Sequence, residues 1–211
     1  MTEPLRLDIV DRVARLTIDR PEKRNALSTV MLRDLLRHVT TIADTPDIVA
    51  VVLRGAGGTF SAGGDLAELS APDRAGGYRA LAETAVVALM AIEPPKVAEI
   101  DGACLGAGCS LALACDVRIC TPAARFGIPA LKNGLAYEPV FVRRLVRVVG
   151  PGPAGLLLYG GERWTANEAA ARGLVDRCAE DAHTAVEHLV TGLRDADHTA
   201  VASTTAAIRS Q

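Results

Sequence analysis

The sequence predicts an α/β domain, and three observations carry that prediction. Short apolar runs of β character, at 13–18, 48–53, 97–100 and 117–120, alternate with longer segments whose apolar residues recur at helical spacing. Two glycine-rich turns, at 59–66 and 102–108, each follow such a run and lead into a helical segment. The chain has 211 residues, 49% of them hydrophobic and 23% charged, enough for one cored domain and too apolar for a disordered one.

Residues 5–10 and 13–18 read as strands, the second with alternating apolar residues at 14, 16 and 18, and Asp11-Arg12 suits a tight hairpin turn between them. Residues 21–25 form a polar loop. Ser28 is a good N-cap for a helix to about residue 43, whose apolar set (Met31, Leu32, Leu35, Leu36, Val39, Ile42) makes one buried face. His38 falls between these positions and reads as a surface residue. Pro46 lies in the break at 44–47, and the almost continuous apolar run 48–53 fits a strand buried on both faces. Residues 71–77 read as a Pro/Gly-rich mobile loop. A helix over 78–92, apolar nearly all round after Thr84, is stopped by Pro94-Pro95.

Residues 97–100 are a short buried strand, 102–108 a glycine turn and 109–114 an apolar helix. A strand follows at 117–120, a short stretch at 125–128, and a loop at 129–139. Helices are expected over 140–149, about 153–159, and from the N-cap Thr165 to Gly173, where Glu168 completes a capping box. Two more are expected over 181–194 and 199–209. The core spans 1–178, and 179–211 is a short C-terminal helical region of the same domain.

A net charge of −2 with scattered lysines and arginines speaks against nucleic acid and anionic membrane surfaces as partners. No apolar run has the length of a membrane span, and residues 1–20 lack the order of a signal peptide. The five cysteines (104, 109, 115, 120, 178) include no C-x-x-C and read as small buried thiols of a cytoplasmic protein. No metal site is expected, since no His lies near the cysteines up to Cys120.

The chemistry points to the two glycine turns. A strand feeding a glycine turn at a helix start aims backbone N–H groups at an anion. Two such turns in one small domain can aim two N–H groups at one oxygen, which is an oxyanion hole for charge developing on a carbonyl.

Five blocks in one order carry a family resemblance: RPEKRNALS at 20–28, SAGGD at 61–65, DGACLGAGCSLALACD at 101–116, ARFGIP at 124–129 and AAARGLVD at 169–176. Over about residues 5–178 the chain resembles the enoyl-CoA hydratase/isomerase (crotonase) family. The resemblance implies a spiral of β-β-α turns, here with a shortened C-terminal helical region. It implies oxyanion N–H groups from Ala62 and Ala107, the latter an alanine where glycine is usual. It also implies backbone contacts to CoA from Asn25, Ala26, Leu27 and the turn Ala62, Gly63, Gly64 and Asp65, with Lys23 and Arg24 near the phosphates. Asp65 itself reads as a helix cap. The two hydratase glutamates would fall at 110 and 130, which are Ser110 and Ala130 here. Each such group contributes on the order of 100- to 10,000-fold, so ordinary hydration is not expected.

One carboxylate remains nearby. Glu138 stands where some relatives carry a catalytic Asp in a G-L-x-P-D segment; here the segment is Gly134-Leu135-Ala136-Tyr137-Glu138. It reads either as the proton-shuttling base or as an acid favourable at a helix start. Tyr137 reads as a proton or hydrogen-bond donor, or as a packing residue lining the acyl pocket. Ser110 falls one glycine short of G-x-S-x-G and has no legible triad. Glu68 and Glu83 read as solvated helix residues.

The expectation is an enzyme acting on an acyl thioester of CoA or of an acyl carrier protein through a stabilised enolate. Double-bond isomerisation comes first, a decarboxylation or other lyase step second, and a non-catalytic thioester-binding relative is the alternative of a different class. CoA or phosphopantetheine enters as part of the substrate, with no further cofactor. The resemblance also implies a homotrimer, or a hexamer built of trimers.

Overall fold

A computed structural model describes residues 3–70 and 75–210 of the chain. β1 (Leu5–Val10) and β2 (Val13–Ile18) form an antiparallel hairpin. Its turn residues Asp11 and Arg12 both have positive φ, the left-handed geometry that matches strand twist in a two-residue turn. After a 3-10 turn (Pro21–Lys23), α1 (Thr29–Asp44) starts at Ser28, whose side chain accepts from Met31 N–H. β3 (Ala50–Gly55) begins two residues later than its apolar run; Ile48 and Val49 are buried in the approach, with Val49 N–H bonded to Arg12 O.

Then come α2 (Leu66–Leu69), α3 (Ala75–Ala91), β4 (Lys96–Ile100), β5 (Ala103–Leu105), α4 (Ala107–Ala114), β6 (Val117–Cys120) and β7 (Arg125–Gly127). A 3-10 turn (Leu131–Asn133) precedes α5 (Pro139–Val149), α6 (Pro151–Leu158), β8 (Arg163–Thr165), α7 (Ala166–Ala171), β9 (Arg177–Cys178), α8 (Ala182–Asp195) and α9 (His198–Arg209).

Most strands pair in one six-stranded sheet of order β1-β2-β3-β4-β6-β9, parallel except for the first pair. Both faces of this sheet are covered. Val51, Leu53, Ala98 and Ile100 join the main core with α1, α3, α4 and α5, while Val52, Val97 and Ile119 pack on Ala182, Val186 and Val190 of α8. That is why residues 48–53 read as continuously apolar. A second sheet, β5-β7-β8, is small but positions the site.

Several expectations need correction. The turn at 102–108 contains β5, a strand too short for alternation to reveal, and β8 and β9 escaped notice for the same reason. α3 starts at Ala75, so residues 75–77 of the expected mobile loop are helical; residues 71–74 lie outside the described residues. α6 starts at Pro151, where proline's fixed φ suits a first helical position. His38 is buried, not a surface residue: its Nε2 lies 3.1 Å from Leu5 O and ties α1 to the start of β1. The capping box at Thr165–Glu168 is present. All five cysteines are free, four of them buried and Cys178 half-buried.

Candidate active site

The two glycine turns meet because the first joins the edge of β5. Phe60 N–H bonds Asp101 O at 2.7 Å, Ser61 N–H bonds Ala103 O at 2.8 Å, and Leu105 N–H returns to Ser61 O at 2.9 Å. Asn25, wholly buried, clamps this arrangement from the side. Its Nδ2 donates to Ala56 O and Thr59 O, and its Oδ1 accepts from Arg20 N–H. The turns approach so closely that a Cβ on Gly63 would sit 2.9 Å from Leu105 O and 3.6 Å from Ala107 N. Gly63 has φ +104° and Gly106 φ 50°, ψ −118°, both strained for any residue with a Cβ.

The expected donor Ala62 does not have a free N–H. It bonds Arg24 O at 2.9 Å. Gly63 N–H is also used, by Ser61 Oγ at 3.1 Å. Among the cleft-lining residues of the two turns, Gly64, Leu66 and Ala107 have N–H groups with no acceptor among the described residues, Leu66 as the first residue of α2. Ala107 is the first residue of α4, so its N–H is one of the donors a helix start leaves unbonded. The alanine there needs no positive φ and costs the turn nothing. Gly64 has its own reason to be glycine: a Cβ would sit 2.8 Å from Tyr78 Oη, which donates to Leu27 O.

Of Asn25, Ala26 and Leu27, expected to contact CoA through their backbone, Asn25 and Leu27 are buried and Ala26 is half-buried. Their N–H groups bond Arg20 O, Lys23 O and Gly63 O, and none of the three lines the cleft. Arg24 is the residue of that loop that reaches it; Lys23 does not. Asp65 caps α2 through Ala67 N–H, as expected, and is paired with Arg20 at 2.7 Å, which holds its carboxyl below the usual range. Glu68 is not a merely solvated residue: it accepts from the N–H and hydroxyl of Thr29 at the start of α1.

The cleft encloses about 920 Å³. Its lining includes Ser110 and Ala130, the two positions where the resemblance expects glutamates, and Phe141, Leu135 and Ala136 as apolar wall. Glu138 also lines it, as the sole carboxylate among the described lining residues, which include Arg24, Arg79, Arg125, Lys132 and Arg163. Glu138 occupies the N-cap position of α5, yet its side chain makes no capping bond. Burial pushes its carboxyl above the usual range, opposed by its own backbone N–H and by Arg79, with Glu83 adding to the rise. Glu83 is half-buried on α3.

Tyr137 reaches the second turn. Its hydroxyl lies 2.5 Å from Ser110 Oγ and donates to Gly106 O at 3.2 Å, while its ring packs on Phe141 with centroids 5.7 Å apart. Burial keeps the phenol neutral. Among the described residues no group of three or more His, Cys, Asp or Glu is placed to hold a metal ion. No helix among them is long and apolar enough to cross a membrane.

A sheet covered on both faces by helices, with the two glycine turns meeting at one cleft, defines the fold. Solved structures share it. An enoyl-CoA hydratase/isomerase family protein from Hyphomonas neptunium superposes with a TM-score of 0.93 at 35% identity, over 99% of this chain and 82% of that one. An enoyl-CoA hydratase from Bacillus anthracis does so with 0.93 at 27% identity, over 98% and 83%. The fold is thus the crotonase fold.

The enoyl-CoA hydratase/isomerase family model matches residues 8–211, and the chain belongs to that family. Among curated relatives, the 2,3-dehydroadipyl-CoA hydratase of Escherichia coli (strain K12) is 37% identical over 164 residues, 78% of this chain and 64% of that protein. The crotonyl-CoA hydratase of Syntrophomonas wolfei is 37% identical over 184 residues, 84% of this chain and 70% of that protein. The chain therefore spans about two thirds of the length of such relatives.

Proposed function

We propose that this chain is an acyl-CoA isomerase that moves a double bond through a thioester enolate. The single observation that carries the reading is Glu138: a half-buried carboxylate that makes no capping bond, in the same cleft as Gly64 and Ala107, whose N–H groups have no acceptor among the described residues. The five cationic residues around the cleft suit a substrate bearing phosphates, which favours CoA.

In this reading the thioester carbonyl of a 3-enoyl-CoA accepts from Gly64 and Ala107 N–H. Glu138 takes a proton from C2, the electron pair moves into a dienolate whose oxygen the two N–H groups hold, and the protonated carboxyl returns the proton to C4. The product is a 2-enoyl-CoA, with no net gain or loss of protons. One carboxylate suffices because the same group gives back what it took. Hydration asks for more: one group to take a proton from water and a means of protonating C2. Ser110 and Ala130 supply no carboxylate for either task.

A second reading has a specific observation in its favour. The curated relatives named above are hydratases, which favours hydration at Glu138 alone. One assay separates the two. Purified protein is offered trans-3-hexenoyl-CoA and crotonyl-CoA, and products are resolved by chromatography and mass. The proposal expects conversion of the first to 2-hexenoyl-CoA, lowered about 100- to 10,000-fold in Glu138→Gln. Water addition to crotonyl-CoA outpacing isomerisation overturns it in favour of a hydratase.

A further inference from the structure

The peptide between Gly106 and Ala107 has two ends, and both are in use. Its N–H is the Ala107 donor that faces the cleft; its C=O is the acceptor of Tyr137 Oη at 3.2 Å. Ser110 N–H, one helical turn on, reaches the same carbonyl at 3.3 Å. Since the Tyr137 proton is directed at Gly106 O, the 2.5 Å contact with Ser110 is served by the serine hydroxyl donating to the phenol oxygen. The chain of donation runs from Ser110 to Tyr137 to Gly106 O, and ends on the peptide whose N–H belongs to the cleft-lining Ala107.

We infer that Tyr137 is a positioning residue that orients and polarises the Gly106–Ala107 peptide as an oxyanion donor, with Ser110 orienting the phenol. Hydrogen bonds in such a chain strengthen one another, because a donor to a peptide oxygen draws electron density from the peptide nitrogen. The peptide is held on both sides, by Gly106 N–H bonding Gly127 O at 2.8 Å and by Ser110 N–H on Gly106 O, and Tyr137 adds the side-chain donor to that carbonyl. At 3.2 Å the bond is long for O–H···O, as bonds that tighten only when charge develops often are. When negative charge grows on the thioester oxygen, Ala107 N–H polarises, Gly106 O becomes a better acceptor and the Tyr137 contact shortens. Ser110 thus has a use that needs no nucleophilic serine, and the tyrosine one that needs no proton transfer to substrate.

The inference rests on Ala107 N–H as an oxyanion donor, so the test reads that donor directly. Hexanoyl-CoA labelled with carbon-13 at the thioester carbonyl is bound to the wild type and to Tyr137→Phe, and the carbonyl stretch is followed by isotope-edited infrared difference. The wild type lowers the stretch relative to free hexanoyl-CoA. Tyr137→Phe keeps the ring against Phe141 and recovers part of that lowering. Its kcat for isomerisation falls on the order of tenfold, less than the roughly 100- to 1,000-fold of deleting a donor outright, while KM changes little. Ser110→Ala shows a smaller shift of the same sign and stands in for the phenylalanine variant if that variant does not fold.

An unchanged carbonyl stretch in Tyr137→Phe, with the wild-type lowering intact, overturns the inference and leaves the oxyanion reading standing. Lost turnover with an unchanged stretch also overturns it, since the phenol then acts elsewhere, as a proton donor would. No lowering in the wild type means that the oxyanion reading itself has failed and the inference with it.

Discussion

Two carboxylates beside one cleft are driven in opposite directions by their surroundings. Arg20 pairs with Asp65 and holds its carboxyl low, which suits a permanently charged cap for α2. Glu138 has no such ion pair among the described residues, and burial raises it. Groups pushed apart in this way commonly divide structural from proton-transferring work. The sign follows. The folded chain holds the Glu138 proton to a higher pH than the ordinary 4.5, so the base form appears only above that value. Turnover should rise with pH along an acid limb whose midpoint lies above 4.5, and Glu138→Gln should lack that limb. The same shift means that the folded state binds this proton more tightly than the unfolded one. Its stabilising contribution is present below the unfolded value and is lost as pH rises through the folded one. Glu138→Gln should therefore melt at or above the wild-type temperature at pH 7; a marked fall would show that the carboxylate has a structural partner.

At the scale of elements, the site depends on how closely α4 and the first glycine turn approach. A Cβ at Gly108 would lie 2.9 Å from Ser61 O and 3.0 Å from Ser61 Cβ. Ser61 O is the acceptor of Leu105 N–H, so the turn cannot yield without disturbing β5. Gly108→Ala leaves both oxyanion N–H groups in the chain but displaces one against the other. Misplacement by about 1 Å at a reacting centre costs on the order of 100-fold. Isomerase activity should fall by about that much while the circular dichroism spectrum stays that of the wild type; full activity would show that the approach of the turns is irrelevant to the reaction.

Much of this was legible in the sequence. β1, β2 and β6 fall where their apolar runs do, and the Ser28, Thr165 and Asp65 caps were readable from side-chain chemistry. Which turn N–H is free was not legible. Ala62 loses its N–H to Arg24 O, and Asn25 is spent inside the fold, through contacts between segments remote in sequence. Local pattern carries no trace of such pairings. The same holds for Tyr137, whose link to Gly106 depends on how the 129–139 loop folds back over α4.

For the whole molecule, the family fold is retained, and Glu138 is the sole carboxylate among the described residues that line the cleft. The sheet that brings the two turns together belongs to a fold shared with solved structures of the family. Ser110 and Ala130 stand where the resemblance implies carboxylates, Tyr137 lies against Ser110, and Glu138 lines the cleft from the start of α5. In the proposed reading this cleft forms an enolate and returns a proton, with Glu138 as the base.

The most direct test of that claim is deuterium uptake from D2O into trans-3-hexenoyl-CoA and hexanoyl-CoA, followed by mass spectrometry for wild type and Glu138→Gln side by side. The account predicts uptake by the wild type at least into the 3-enoyl thioester, lost in Glu138→Gln. Equal uptake by both proteins would contradict the role of Glu138, and no uptake by the wild type would contradict an enolate-forming site altogether.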